Sequence, residues 1–351
     1  MHRDVIDLND KLFAIKLRKT QAFLDRLVRE RGYEACPDAI KALAIDTGFI
    51  KDDLESAVRY AIHTKTPRLT YRIQFNPGRG KRFAGAGRKH APPGRTLVHD
   101  GCPLAPANIP VQQLGTELPF ACELAGTAYN ILAQPFPFED VHLIAATRAH
   151  RAQEVPARMI EQILREMLDL ATWSPRFVVM INGSDGAGAT IPWFHMHHFT
   201  RPADQPFPLE ALAETQIADN NPRLVVGYPL PVVVVRGPIE NVIQTLSQLI
   251  RAWLADYGAS ATMNLMATTA GCEHGETIVY FCPRDRRNAR VPGFSGAVGG
   301  LEILGEMLAY SETDKHRIDC GQINAQYVEN VLRSVRAEGF ERFFLSYVAK
   351  R

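Results

Sequence analysis

Trp193-Phe194-His195-Met196-His197-His198-Phe199 sets three imidazoles within seven residues. The run reads as a strand. Side chains on a strand alternate faces, so His195 and His197 share one face while Met196 and His198 take the other. Just upstream, residues 177–181 read as a buried strand and Asn182-Gly183-Ser184-Asp185-Gly186-Ala187-Gly188-Ala189-Thr190 as a glycine-rich turn. An imidazole nitrogen can attack phosphorus and split one transfer into two easier steps, and its neutral form is abundant near pH 7. Glycines let backbone amides approach phosphate oxygens and form an anion-binding concavity. Two other readings stand beside this one. Three histidines in an aromatic strand also suit core or edge positions with satisfied nitrogens, and alternate strand histidines can serve as metal ligands.

Outward from this stretch the pattern mixes strands and helices. Residues 6–63 read as helical and free of any catalytic constellation, which makes 1–65 an N-terminal packing or lid region. Residues 69–75 alternate like a strand and lead into Asn76-Pro77-Gly78-Arg79-Gly80-Lys81-Arg82, a turn-rich basic loop. Residues 83–110 read as irregular and exposed. Strands are expected at 129–133 and 141–146, then a helix opened by Pro156 with Met159, Ile160, Ile163, Leu164, Met167 and Leu168 on its core face. Beyond 205 a strand at 231–235, a helix after Pro238, strands at 263–268 and 277–281 and a helix at 323–336 repeat the theme loosely. The chain thus divides into 1–65, 66–205 and 206–351, and the class is α+β on antiparallel sheet.

Composition narrows the partners. The chain has 351 residues with 40 Lys+Arg against 38 Asp+Glu, so no global basic field argues for nucleic acid. No run of about 18 apolar residues suggests a bilayer span. None of the six cysteines forms a Cys-x-x-Cys pair, and the polar start Met1-His2-Arg3-Asp4 has no apolar signal core. A cytoplasmic protein is expected.

The order of blocks carries a family likeness. Val178-Val179-Met180-Ile181-Asn182-Gly183 through Gly188-Ala189-Thr190, then His195-Met196-His197, resembles one branch of the histidine-triad-like superfamily. That branch holds galactose-1-phosphate uridylyltransferase, diadenosine tetraphosphate phosphorylase and the plant GDP-galactose phosphorylase. There Asn-Gly, a small-residue Gly-Ala-Ser and His-x-His succeed one another in this order. His150-Arg151-Ala152-Gln153 resembles their strand ending in His-x-x-Gln. Gln74-Phe75-Asn76-Pro77, Cys102 to Gln113, Pro283 to Arg287 and Leu301 to Glu306 resemble blocks of a bacterial branch of the same lineage, so the likeness runs from Tyr71 to Glu306.

The resemblance implies a histidine-triad-like sheet with flanking helices and two loosely similar halves. It implies a nucleotide or nucleotide-sugar substrate, no nucleic acid or membrane partner, and a homodimer. His197 takes the place of the covalent nucleophile and His195 that of a site-orienting or zinc-binding residue. Asn182, Gly183, Ser184 and the Gly188-Ala189-Thr190 turn would hold phosphates or ribose, with Arg79 and His198 as further contacts. Thr190 stands where Ser is usual and keeps the hydroxyl.

Two positions depart from the pattern. Two residues beyond the nucleophile the transferases have Gln and the smaller hydrolases a third His; here Phe199 can neither donate to phosphate nor shuttle a proton. A bulge at His198 would swing His198 or Thr200 into that place. The implied structural zinc uses Cys-x-x-Cys, but Cys102 is followed by Ala105, leaving Cys102, His150 and His195 with His99 as a conceivable fourth ligand. The leading expectation is a nucleotidylyltransferase or phosphorylase acting on a nucleoside-diphosphate sugar or dinucleoside polyphosphate through a nucleotidyl-histidine. A hydrolase with the same nucleophile and a nucleotide-binding protein that lost the reaction are the alternatives.

Overall fold

A computed structural model describes residues 2–51, 54–81, 96–112, 116–202, 205–217, 221–288 and 297–350, the side chains of 2–8 and 112 apart. Helices α1 (His2–Arg31) and α2 (Cys36–Asp46) precede strands β1 (Val58–His63) and β2 (Thr70–Phe75). Short helices α3 (Pro77–Lys81) and α4 (Ile109–Gln112) lead to β3 (Phe120–Leu124), β4 (Thr127–Ala133), β5 (His142–Thr147), α5 (Ile160–Ala171), β6 (Phe177–Asn182) and β7 (His195–Thr200). Then come α6 (Pro208–Glu214), β8 (Arg223–Leu224), β9 (Val233–Pro238), α7 (Ile239–Tyr257), β10 (Ala261–Thr268) and β11 (Glu276–Asp285). The chain closes with α8 (Gly300–Ile303), β12 (Glu306–Ala309), α9 (Glu312–Asp319), α10 (Ala325–Ser334) and α11 (Phe340–Ala349).

Nine strands form one antiparallel sheet in the order β3-β4-β5-β7-β6-β10-β11-β9-β8, and β1-β2-β12 form a second, with β12 parallel to β2. The large sheet runs unbroken past residue 205, because β6 pairs with β10. Helix α5 buries Ile160, Ile163, Leu164, Met167 and Leu168, a 3.6-period stripe. It meets α7 and packs on one sheet face, where Val179, Ile181, Phe194 and Met196 join the same core. On the other face Val178, Met180 and Phe199 pack with Phe75, Phe207, Leu301 and Leu308 from the small sheet and its neighbours. Strand β7 lies in the middle of the sheet, so both of its edges are paired.

The architecture is the expected α+β one, with local corrections. Residues 58–63 are strand rather than helix: β1 pairs with β2, and a hydrogen-bonded partner overrides a weak helical period. Residues 77–81 coil into α3 instead of a loop, with Pro77 at the first turn, where a missing amide costs nothing. Arg82 and 83–95 lie outside the described residues. The described part of 83–110 is exposed only in places, at Thr96, Val98, His99, Asp100 and Ala107, while Cys102, Leu104, Ala105 and Ile109 form a third small core with Ile144 and Trp193. Among the described residues no helix is long and apolar enough to cross a membrane.

Candidate functional site

Strand β7 pairs in continuous register with β5 on one side and β6 on the other, so no bulge interrupts it at His198. The alternation therefore holds. His195, His197 and Phe199 face the second core, and Met196, His198 and Thr200 face the helices. His195 and His197 rings lie 5.3 Å apart, edge to face.

Each ring is held in a definite way. His195 Nδ1 lies 2.8 Å from the Trp193 carbonyl, which can only accept, so that nitrogen carries the proton. The strand start is stapled by buried Gln153. The His195 amide donates to its Oε1 (2.7 Å), and its Nε2 donates to the carbonyls of Asn182 (2.6 Å) and His195 (3.1 Å). His197 Nδ1 lies 3.0 Å from Nε2 of His142 on β5. His142 is the cross-strand partner of Phe199 and sits beside Phe138 at 3.9 Å between ring centroids. Phe199 packs edge-on to both rings, 4.9 Å from Phe138 and 5.8 Å from His142. Sequence reasoning missed His142, whose only local signal was its place at the head of an apolar strand.

His195 and His197 open onto a cavity of about 270 Å³, near the lower end of the roughly 300–1,000 Å³ of small-molecule sites. Its walls include Asn182, Gly188, Ala189 and Thr190 on one side and the apolar Leu132, Phe136, Phe138 and Ile144 on another. Arg79 enters from α3; its Nη1 donates to the Phe136 carbonyl (2.7 Å) and its guanidinium lies 5.2 Å from the Phe138 ring centre. Glu302, also missed, lines the cavity from α8. Its carboxylate accepts from the Gly299 amide at 2.8 Å, and burial pushes its pKa up to about 7 against the pull of that amide, Arg79 and Arg284.

The glycine-rich turn differs from the expected amide cradle. The amides of Gly183, Ser184, Ala187 and Ala189 donate to carbonyls of Met263, Gln153, Asp185 and Gly183. Gly183 and Ser184 do not line the cavity; Ser184 Oγ accepts from Arg286 at 2.9 Å. Gly183 is required because a Cβ there would lie 2.4 Å from Thr262 Oγ1. Gly188 combines a φ of +95° with a close approach, since a Cβ would fall 2.6 Å from Gly299 Cα. Asn182 Oδ1 accepts from Asn264 Nδ2 and from the Gly300 amide, both at 2.8 Å. Fully buried Arg284 completes the brace by donating to Asn264 Oδ1 (2.9 Å) and to carbonyls of Val298, Val335 and Gly186. Burial lowers its pKa to about 10 against the upward pull of Cys282 and Glu302. Arg284 is thus a strut of the cavity wall, and Arg287 pairs with Asp285.

His198 leaves the expected contact set. It is enclosed by Trp173 and Phe177 on the helix side, and neither ring nitrogen has a partner among the described residues. Desolvation pushes its pKa down to about 3, so it stays neutral. The four expected zinc ligands come together only in part. His99 and His150 stack at 5.1 Å against Trp193, and among the described residues no three His, Cys, Asp or Glu side chains form a metal-binding group.

These features define an α+β protein with two strand histidines opening on a cavity. The chain shares its fold with yeast Ap4A phosphorylase Apa2: 12% identity, TM-score 0.59, covering 86% of this chain and 96% of that one. The same enzyme in complex with AMP superposes with a TM-score of 0.59 at 14% identity, covering 86% and 98%. Its complex with Ap4A gives 0.54 at 13%, covering 85% and 98%. A family described as a domain of unknown function (DUF4922) matches residues 52–201. No curated protein sequence matches.

Proposed function

We propose that this protein is a nucleotidylyltransferase or phosphorylase acting on a dinucleoside polyphosphate or nucleoside-diphosphate sugar. The observation that carries the proposal is the half-buried His197 ring, anchored at Nδ1 and lining the same cavity as Arg79 and the Gly188-Ala189-Thr190 turn. With Nδ1 held by His142, attack falls to Nε2 in the form whose proton lies on Nδ1. Attack on the α-phosphorus forms a P–N bond as the P–O bond to the leaving phosphate or polyphosphate breaks, and the electron pair departs with that oxygen. Inorganic phosphate or a sugar phosphate then attacks the same phosphorus and releases His197. Arg79 meets the charge on the phosphoryl oxygens in a water-poor pocket, where such contacts are strongest. The likeness to Apa2, whose structures include complexes with AMP and Ap4A, supports a nucleotide ligand. Six free cysteines accord with a reducing cytoplasm.

Intact-protein and peptide mass spectrometry after brief exposure to Ap4A, ADP-glucose and GDP- and UDP-sugars tests the proposal. A nucleotidyl adduct on His197 that added inorganic phosphate discharges as a nucleoside diphosphate is expected. Binding without cleavage or adduct across the panel overturns it. Cleavage through the adduct that is indifferent to phosphate assigns water as acceptor instead.

A further inference from the structure

The geometry points to His142 as a positioning residue that selects which nitrogen of His197 is bare; this rests on the proposal that His197 is the nucleophile. His142 Nε2 and His197 Nδ1 are 3.0 Å apart, so one proton lies on the axis between them. When the proton sits on His197 Nδ1, His142 Nε2 accepts it and His197 Nε2 presents a lone pair to the cavity. With the proton on His142 Nε2 instead, neutral His197 carries its own on Nε2 and is a donor rather than a nucleophile. The Phe138 amide lies 3.4 Å from His142 Nδ1. That separation is beyond the usual range for a strong N–H bond, so it biases the pair toward the second form without locking it there.

His142 is buried at 3% exposure and held between Phe138 and Phe199, while the cross-strand register fixes its backbone opposite Phe199. Its ring therefore has little freedom except to face His197. As the P–N bond forms, positive charge builds on the His197 ring, and the Nδ1 proton is retained and held by His142 Nε2. The neutral accepting partner stabilises that cation in the way a carboxylate does beside other catalytic imidazoles. Phosphate attack breaks the P–N bond and returns His197 to the neutral Nδ1-protonated form, so His142 gains and loses no proton over the cycle.

The test compares His142→Gln with His142→Asn. Glutamine can set an amide where Nε2 stands; asparagine reaches only the place of Nδ1. Both are polar and fold under similar constraints, whereas His142→Ala removes a packed ring. With whichever panel nucleotide labels the wild type, the Asn variant is expected to lose roughly 10- to 100-fold in kcat and in the rate of His197 labelling, at nearly unchanged KM. The Gln variant should keep most of the rate. Equal rates in the two variants, or a loss confined to KM, overturn the assignment. A second arm needs no substrate. Histidine-selective ¹⁵N NMR of the free protein should show His197 Nδ1 hydrogen-bonded in the wild type and the Gln variant, and a changed His197 tautomer ratio in the Asn variant. Identical His197 spectra in all three also overturn it. If no nucleotide labels wild-type His197, the nucleophile proposal falls, and the spectra still decide whether His142 sets the tautomer.

Discussion

His197 and His198 are neighbours in the chain and opposites in the fold. His197 is half-buried, bonded through Nδ1 to His142 and open to the cavity; His198, one residue on, is sealed against Trp173 and Phe177 with no partner for either nitrogen among the described residues. The same side chain thus lines a cavity on one face of β7 and fills an apolar layer on the other. What separates them is solvent and partners, because an unpaired imidazole in an apolar layer cannot hold a proton near neutrality. Counting histidines does not find a site; assigning them to faces does.

The comparison can be broken by substitution, and the largest effect is expected at His197. His197→Ala should lower turnover by a factor on the order of 10⁴ or more, as removal of a covalent nucleophile does, while nucleotide binding by calorimetry stays within a few-fold. Activity near wild type would show that the cavity face is not the chemical face. Next in size is Arg79→Ala on the same side. Loss of a charged contact to phosphate should raise KM by about ten- to a hundredfold, corresponding to roughly 1.5–3 kcal/mol.

The helix-facing side is tested through stability. His198 in the folded state has a pKa near 3 against an ordinary value of 6.5, so the unfolded chain takes up a proton that the folded chain refuses. Stability is complete above pH 6.5 and lost as pH falls from there toward 3, at about 1.4 kcal/mol per pH unit from this residue. Wild type should therefore lose stability to urea between pH 6.5 and 5 faster than His198→Leu, by roughly that slope. At pH 7.5 the same variant should be as stable as wild type or up to about 1 kcal/mol more so, since it removes two unpaired buried nitrogens. Its turnover should be unchanged. Parallel pH curves for the two proteins would place a partner on His198. The smallest effect is expected at Ser184, which lies off the cavity and bonds to Arg286. Ser184→Ala should leave KM within about twofold, and a larger rise would return the first half of the glycine-rich turn to the substrate.

Much of the fold was legible because it is written in local periods. The buried run of β6, the alternation in β7 and the apolar stripes of α5 and α7 each appear within one window of sequence. The strand β1 and helix α3 were not, because short elements owe their state to neighbours across space. The Asn182-to-Thr190 turn was recognised as a turn, but its glycines answer to Thr262 and Gly299 as much as to any ligand. Arg284 shows the same limit: three arginines within four residues look like a basic patch, and burial alone turns one of them into an internal brace.

By itself, the sequence determined that His195 and His197 share a face and that His198 does not, since a pleat of period two leaves no other arrangement. Only the tertiary structure decided which face is open, what packs around Phe199 beyond His197, and which amides of the turn are already bonded. His142 reaches His197 across 55 residues of chain, by the register between β5 and β7. Register is set by the packing of whole sheets, and no local pattern around either histidine announces it.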